Sequence, residues 1–408
     1  MSANARVQQL SSQIAQPSVS TKSPNDVVIC AAVRTPITRA RKGGFKDTHT
    51  EELLAAALKA IIDRTKIDPK IVQDIQVGNV LPPGGGATVA RMAALYAGFP
   101  NTTALSTINR QCSSGLQAVG SIAHAIQAGM IDVGIGAGVE SMTMNYGPVA
   151  MPQSTSDKVT GLPEAADCLL PMGITSENVA KEWQIPRSKQ DALAAASHQK
   201  AAKAQQQGLF DEEIVPVTIT KEDGTEAVIS KDDGIRANTT AEGLAKLKPA
   251  FSADGCTTAG NASQVSDGAA AVLLARRSVA QKLGLPIIGK FVNLAVVGVP
   301  PRVMGIGPAY AIPEAVRKAG ITIDQVDIFE INEAFASQAV MSIEHLKIPY
   351  EKVNPKGGAI ALGHPLGCTG ARQIATLLPE LKRQGKKVGV VSMCIGTGMG
   401  AAAVVVRE

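Results

Sequence analysis

Aromatic residues are scarce, at 3% of 408 positions with a single tryptophan, and the net charge is only +5. The stacking platforms and dense basic stripes with which proteins hold nucleic acid are therefore missing. No stretch approaches the roughly 18 to 20 uninterrupted apolar residues of a membrane-spanning helix. The richest run, residues 268–275, fits one buried strand. The six cysteines (Cys30, Cys112, Cys168, Cys256, Cys368 and Cys394) include no C-x-x-C pair and have no histidine at ligand spacing. That scatter argues against a structural metal and a disulfide scaffold, and points to a reducing compartment. A cysteine in such a setting is ordinarily a small buried hydrophobe, so any catalytic reading of one must come from its neighbours.

What is present is the composition of a globular chain: 45% hydrophobic, 18% charged, 39 glycines and 23 prolines, with length for two or three domains of about 150 residues each. From Val27 onward, short runs of Val, Ile and Ala alternate with helical patterns: 53–65, then Ile75-Gln76-Val77, then 116–128, then Val133-Gly134-Ile135. This β-then-α order with near-continuous apolar strands predicts an α/β sheet covered by helices on its faces.

The order then repeats. A shift of 253 to 255 positions lays Asp74-Ile75 on Asp327-Ile328, Asn79 on Asn332, Gly115 on Gly370 and Val133-Gly134 on Val388-Gly389. The chain reads as a duplicated α/β unit. Its halves are expected at 26–141 plus 267–287 and at 288–408, with 142–266 a large loop-bearing insertion of the kind that forms ligand grooves.

Three glycine-flanked segments carry candidate chemistry. In Asn109-Arg110-Gln111-Cys112-Ser113-Ser114-Gly115, a strand turns into a helix at Cys112, and unpaired N–H groups with the dipole's positive end favour thiolate there. The alternative is a buried cysteine at a tight turn. In Gly363-His364-Pro365-Leu366-Gly367, His364 lies three places before the repeat equivalent of Cys112. A pseudo-twofold axis would bring the two helix starts to one pocket and give a thiolate–imidazolium pair. In Cys394-Ile395-Gly396-Thr397-Gly398, the glycines permit close backbone approach, and the Gly396 N–H can donate to an oxyanion. A dinucleotide fingerprint is the competing reading, but G-x-G-x-x-G opening a helix is absent.

These segments, with Asn332-Glu333-Ala334-Phe335, resemble the thiolase family, and within it the peroxisomal 3-ketoacyl-CoA branch, over everything after about residue 26. The resemblance implies a five-layered αβαβα thiolase fold of two βαβαβαββ halves with an inserted loop domain, and a homodimer. It implies cleavage of 3-ketoacyl-CoA by free CoA to acetyl-CoA and a shortened acyl-CoA, the last step of fatty-acid β-oxidation. Cys112 then matches the acylated nucleophile, His364 its activator, and Cys394 the acid/base for the acetyl α-carbon. Asn332 matches the residue that holds a water in one oxyanion hole with His364, and the N–H groups of Cys112 and Gly396 match the other. CoA is a co-substrate; no metal or permanently bound cofactor is implied.

In the insertion, Ser263 matches a serine against the pantetheine arm, and Met172 is a candidate groove wall. Arg236, Lys246 and Lys248 are candidate partners of CoA phosphates, their alternative being solvated surface cations. Near the start, Arg6-Val7, Leu10-Ser11 and Gln13-Ile14 resemble an amphipathic peroxisomal targeting signal, read by an import receptor, within a segment 1–25 that precedes the first strand; Gln13 and Ile14 depart from its usual residues. The alternatives are a biosynthetic acetoacetyl-CoA thiolase, a ketoacyl synthase and a non-enzymatic lipid carrier. The synthase is disfavoured because that relative has histidine where this chain has Cys394, and the carrier because Cys112, His364, Cys394 and Asn332 are all present.

Overall fold

The computed structural model describes residues 19–147, 150, 152, 154–221 and 223–408, so the targeting motif read at Arg6 to Ile14 lies outside the described residues. The first half runs β1 (Val27–Arg34), α1 (Thr50–Thr65), β2 (Asp74–Gly78), α2 (Ala87–Tyr96), β3 (Ala104–Ile108), α3 (Ser114–Gln127) and β4 (Val133–Ser141). The insertion follows, with α4 (Met172–Glu182), α5 (Arg187–Gln206) and a small two-stranded hairpin, before β5 (Ser266–Arg276) completes the half. The second half runs β6 (Gly289–Gly298), α6 (Gly307–Lys318), β7 (Ile328–Ile331), α7 (Ala336–His345), α8 (Thr369–Arg383), β8 (Val388–Ile395) and β9 (Met399–Arg407).

Side-chain alternation along the strands builds the layers. On β5, Ala269, Ala271, Leu273 and Ala275 pack with α1 and α2, whereas Ala270, Val272 and Leu274 pack with α3 and α8. On β9, Ala401, Ala403 and Val405 join that same α3/α8 layer from its other side, while Ala402, Val404 and Val406 face α6. The order is therefore helix, sheet, helix, sheet, helix, which is the five-layered arrangement expected. Each large aliphatic side chain sealed in the middle layer, such as Leu116 or Ile374, contributes roughly 1.5–3 kcal/mol. The strands run in the order β7-β8-β9-β6-β1-β5-β4-β2-β3, with Thr38–Arg39 beside β5. The halves join where β1 pairs antiparallel with β6, from Val27 against Phe291 to Ile29 against Gly289.

The repeat is visible at the centre. A Cβ on Gly115 of α3 would overlap Gly367 and Ala371 at the start of α8, and a Cβ on Gly370 of α8 would overlap Leu116 of α3. Two equivalent glycines thus let equivalent helix starts cross in contact, each serving the other. The halves are not identical. The strand corresponding to β3 shrinks in the second half to a single bridge between Phe329 and Val353. The insertion holds helices as well as loops, α5 among them, and it is clamped to both halves. Buried Glu213 pairs with Arg34 of β1 at 2.6 Å and with Lys356 at 2.5 Å, while Asp232 takes the other end of Arg34 at 2.7 Å.

Candidate active site

Cys112 sits at an elbow between β3 and α3. Gln111 before it has a φ of +46°, a left-handed conformation costing roughly 1–3 kcal/mol in a residue with a side chain. Local hydrogen bonds hold that strain. Gln111 N–H donates to Asn109 Oδ1 at 2.9 Å, the Ser114 hydroxyl donates to the Gln111 carbonyl at 2.6 Å, and Arg110 N–H donates to Ser114 Oγ at 2.9 Å. The Cys112 sulfur faces its own N–H and that of Gly396. The β8–β9 turn that carries Gly396 is itself left-handed at Thr397, φ +68°.

Burial outweighs these donors. It pushes the Cys112 thiol up to about 11, with the Glu140 carboxylate adding to the rise and the two N–H groups only partly opposing it. Burial thus works against the thiolate expected from the helix start. The His364 imidazole is buried likewise, and desolvation, helped by the Arg372 charge, brings it down to about 3. Both shifts favour the neutral forms over the thiolate–imidazolium pair read from sequence.

Two hydrogen bonds position the His364 ring. The Thr369 hydroxyl lies 3.1 Å from the Pro365 carbonyl and 2.6 Å from His364 Nδ1, so when it donates to the carbonyl it accepts from Nδ1. The ring proton is then on Nδ1. Nε2 keeps its lone pair and receives the Asn332 Nδ2–H at 3.3 Å. Asn332 follows β7, where its backbone N–H donates to the Ser392 carbonyl, two residues before Cys394 on the neighbouring β8. Its Oδ1 is buried without a partner among the described residues.

Cys394 is fully buried among Met304, Ala334, Met172 and Phe335, and its thiol donates to Gln338 Oε1 at 3.0 Å. Burial and the adjacent Cys112 raise that thiol well above its ordinary range. The motifs are thus linked: Cys112 at the elbow before α3 lies beside Gly396 and Cys394 at the end of β8, and Asn332, bonded to β8 at Ser392, meets His364.

The predicted binding residues divide. Met172 opens α4 with its sulfur 3.6 Å from where a Gly396 side chain would begin. Ser263 N–H donates to the Ala334 carbonyl at 2.9 Å, setting that loop directly on the Asn332 turn. Lys246 and Lys248 are exposed, beside Leu244 and Leu247, which pack against Gly260 of the same loop. Arg236 is exposed farther along the insertion, its backbone N–H donating to His198 Nδ1 at 3.2 Å. None of these three cations forms an ion pair among the described residues.

Three residues escaped the sequence reading. Thr369 fixes the His364 tautomer, and Gln338 meets Cys394. Glu140, at the end of β4, is buried and accepts the Val80 and Leu81 N–H groups at 3.1 Å and the Gly367 N–H at 2.9 Å. It thereby ties the His364 loop of one half to the β2 loop of the other. Burial pushes its carboxyl up to about 7, against the pull of the three N–H groups. The one sequence signal was position, since Gln338 lies six residues after Asn332 and Thr369 five after His364.

Comparison with known proteins agrees with this architecture. The family described as "Thiolase, N-terminal domain" matches residues 27–278, and "Thiolase, C-terminal domain" matches 285–407. A peroxisomal 3-ketoacyl-CoA thiolase of Yarrowia lipolytica is 59% identical, over 96% of this chain and 95% of its own. The human peroxisomal 3-ketoacyl-CoA thiolase is 60% identical, over 94% and 91% respectively. The dimeric peroxisomal thiolase of Saccharomyces cerevisiae superposes with a TM-score of 0.91 at 52% identity, covering 96% of this chain and 99% of that one. An acyltransferase of this architecture, with two cysteines, a histidine and an asparagine gathered where its two halves meet, belongs to the thiolase family.

Proposed function

We infer that this chain is a peroxisomal 3-ketoacyl-CoA thiolase, cleaving 3-ketoacyl-CoA with CoA to acetyl-CoA and an acyl-CoA two carbons shorter. The observation that carries the reading is the pair of adjacent buried thiols, Cys112 and Cys394, beside a β7 turn whose Asn332 meets His364 Nε2 at 3.3 Å.

Cys112 attacks the 3-keto carbon as its proton passes to His364 Nε2. Because both groups rest neutral, this transfer accompanies the attack. The N–H groups of Cys112 and Gly396 serve the acyl oxyanion, and Asn332 with His364 serves the enolate oxygen of the leaving thioester. When the carbon–carbon bond breaks, the Cys394 proton moves to the α-carbon and becomes part of the methyl group of acetyl-CoA. Incoming CoA then takes the acyl group from Cys112. Its thiol proton restores Cys394, and His364 returns its own to Cys112, so every proton is accounted for.

Residues 142–266 act as the CoA-binding insertion. Ser263 lies against the pantetheine arm, Met172 walls the groove, and Lys246, Lys248 and Arg236 meet phosphates. The enzyme works as a homodimer and reaches the peroxisome through an import receptor that reads residues 1–25. Turnover measured across acetoacetyl-CoA and longer 3-ketoacyl-CoAs tests the assignment. Cleavage of the longer substrates is expected; turnover confined to acetoacetyl-CoA would point to the biosynthetic enzyme.

A further inference from the structure

Cys394 lies in an apolar nest, and the one side chain that hydrogen-bonds its sulfur among the described residues is Gln338. Gln338 sits in the first turn of α7, is fully buried, and packs its Cβ where Gly305 leaves room. Its carbonyl oxygen receives the Cys394 thiol proton at 3.0 Å, while its Nε2 is buried and has no partner among the described residues. An unpartnered buried amide N–H is costly, and native interiors rarely leave one without a reason.

The reaction supplies a reason. Cys394 must exist in two states, as a thiol before proton transfer and as a thiolate after it. A carbonyl oxygen suits the thiol because it accepts S–H, but it repels the thiolate. The other end of the same amide suits the thiolate because it donates. We propose that Gln338 is a positioning residue for proton transfer, its oxygen aiming the Cys394 proton and its Nε2–H, on rotation of the amide, holding the thiolate left behind. In cleavage the S–H bond of Cys394 breaks, a C–H bond forms at the enolate carbon, and the negative charge passes to sulfur. The CoA thiol later returns the proton, and the amide turns back. This inference rests on the assignment of Cys394 as the acid/base.

Two partial reactions separate the roles. Exchange of acetyl groups between acetyl-CoA and labelled CoA needs Cys112 and His364, whereas deuterium uptake into the methyl group of acetyl-CoA in heavy water needs Cys394. Gln338→Leu removes both ends of the amide, and Gln338→Glu keeps an acceptor but sets a carboxylate against the thiolate. In both variants deuterium uptake and 3-ketoacyl-CoA cleavage should fall roughly 10- to 100-fold, the cost of a hydrogen bond to a charged group. Acetyl exchange in the same preparation should stay within about threefold. Parallel loss of uptake and exchange in both variants would assign Gln338 to packing and overturn the proposal, as would uptake at the normal rate in either. Cys394→Ala distinguishes the underlying reading. If that variant keeps uptake, the role of Cys394 is wrong; if it loses uptake while Gln338→Leu retains it, only the inference about Gln338 fails.

Discussion

Replacing Thr369 by valine keeps the shape of the side chain and deletes the acceptor that fixes the His364 ring. In the native site the hydroxyl accepts from Nδ1–H at 2.6 Å, which leaves the Nε2 lone pair pointed at Asn332 and available as a base. Valine leaves that buried Nδ1–H without a partner, at about 1–3 kcal/mol. The alternative tautomer has a ready partner, because the unpartnered Asn332 Oδ1 can turn to accept an Nε2–H. The ring should therefore shift toward the tautomer whose lone pair lies on the wrong nitrogen. At 1.36 kcal/mol per decade, the fraction in the basic form, and with it the rate, falls roughly 5- to 150-fold. Acetyl exchange between acetyl-CoA and labelled CoA reads this directly, since it needs only the Cys112–His364 pair. Thr369→Ser, which restores the acceptor, should recover to within about threefold of the native rate. Native exchange in the valine variant, or equal loss in valine and serine, would refute the tautomer argument.

Other expectations follow from the same geometry. Asn332→Ala should lower cleavage by roughly 10² to 10³, as for loss of one oxyanion donor, while iodoacetamide modification of Cys112 changes by no more than a few-fold; comparable losses in both would contradict its role. The Glu140 carboxyl, raised to about 7 in the fold against about 4.3 in the unfolded chain, binds its proton more tightly when folded. Its contribution to stability is thus fully present below about pH 4.3 and is lost as pH rises through 7, by roughly 3 to 4 kcal/mol in all. Urea unfolding at pH 5 and pH 8 should show most of that loss, about 2 to 3 kcal/mol, in the native protein and a correspondingly smaller one in Glu140→Gln; parallel pH profiles would disprove it. Residues 1–24 fused to a fluorescent reporter should carry it to peroxisomes, and Arg6→Glu should leave it in the cytosol. A cytosolic reporter with the intact segment, in import-competent cells, would remove the targeting claim.

Much of the layout is legible in the sequence because it is written in periodicity. The runs at Val27, Ile75, Val133 and Val388 lie in strands, and the pairing of Gly115 with Gly370 anticipates the crossing of α3 and α8. The reactive groups are legible because they stand at glycine-flanked turns. Their protonation is not, because it depends on how deeply each group is buried, which local context does not encode. At Cys112 burial opposes the thiolate that the helix start favours. Thr369 was invisible in a different way. Its hydroxyl matters only because Pro365 already accepts its proton, a fact of three-dimensional geometry. Gln338 and Glu140 act across elements far apart in the chain, with Glu140 reaching Gly367 over 227 positions. The second half's missing strand at Val353 shows the same limit, since a duplicated pattern does not say which copy keeps every element.

Where the acyl group rests during turnover decides which cysteine is the nucleophile. Incubating the protein with a 3-ketoacyl-CoA in the absence of free CoA, quenching in acid and mapping the peptides by mass spectrometry reports it directly. The shortened acyl group should appear as a thioester on Cys112, with acetyl-CoA released in matching amount, and Cys112→Ala should yield neither. An acyl group on Cys394 or another cysteine, or acetyl-CoA release without any acylated peptide, would contradict the mechanism.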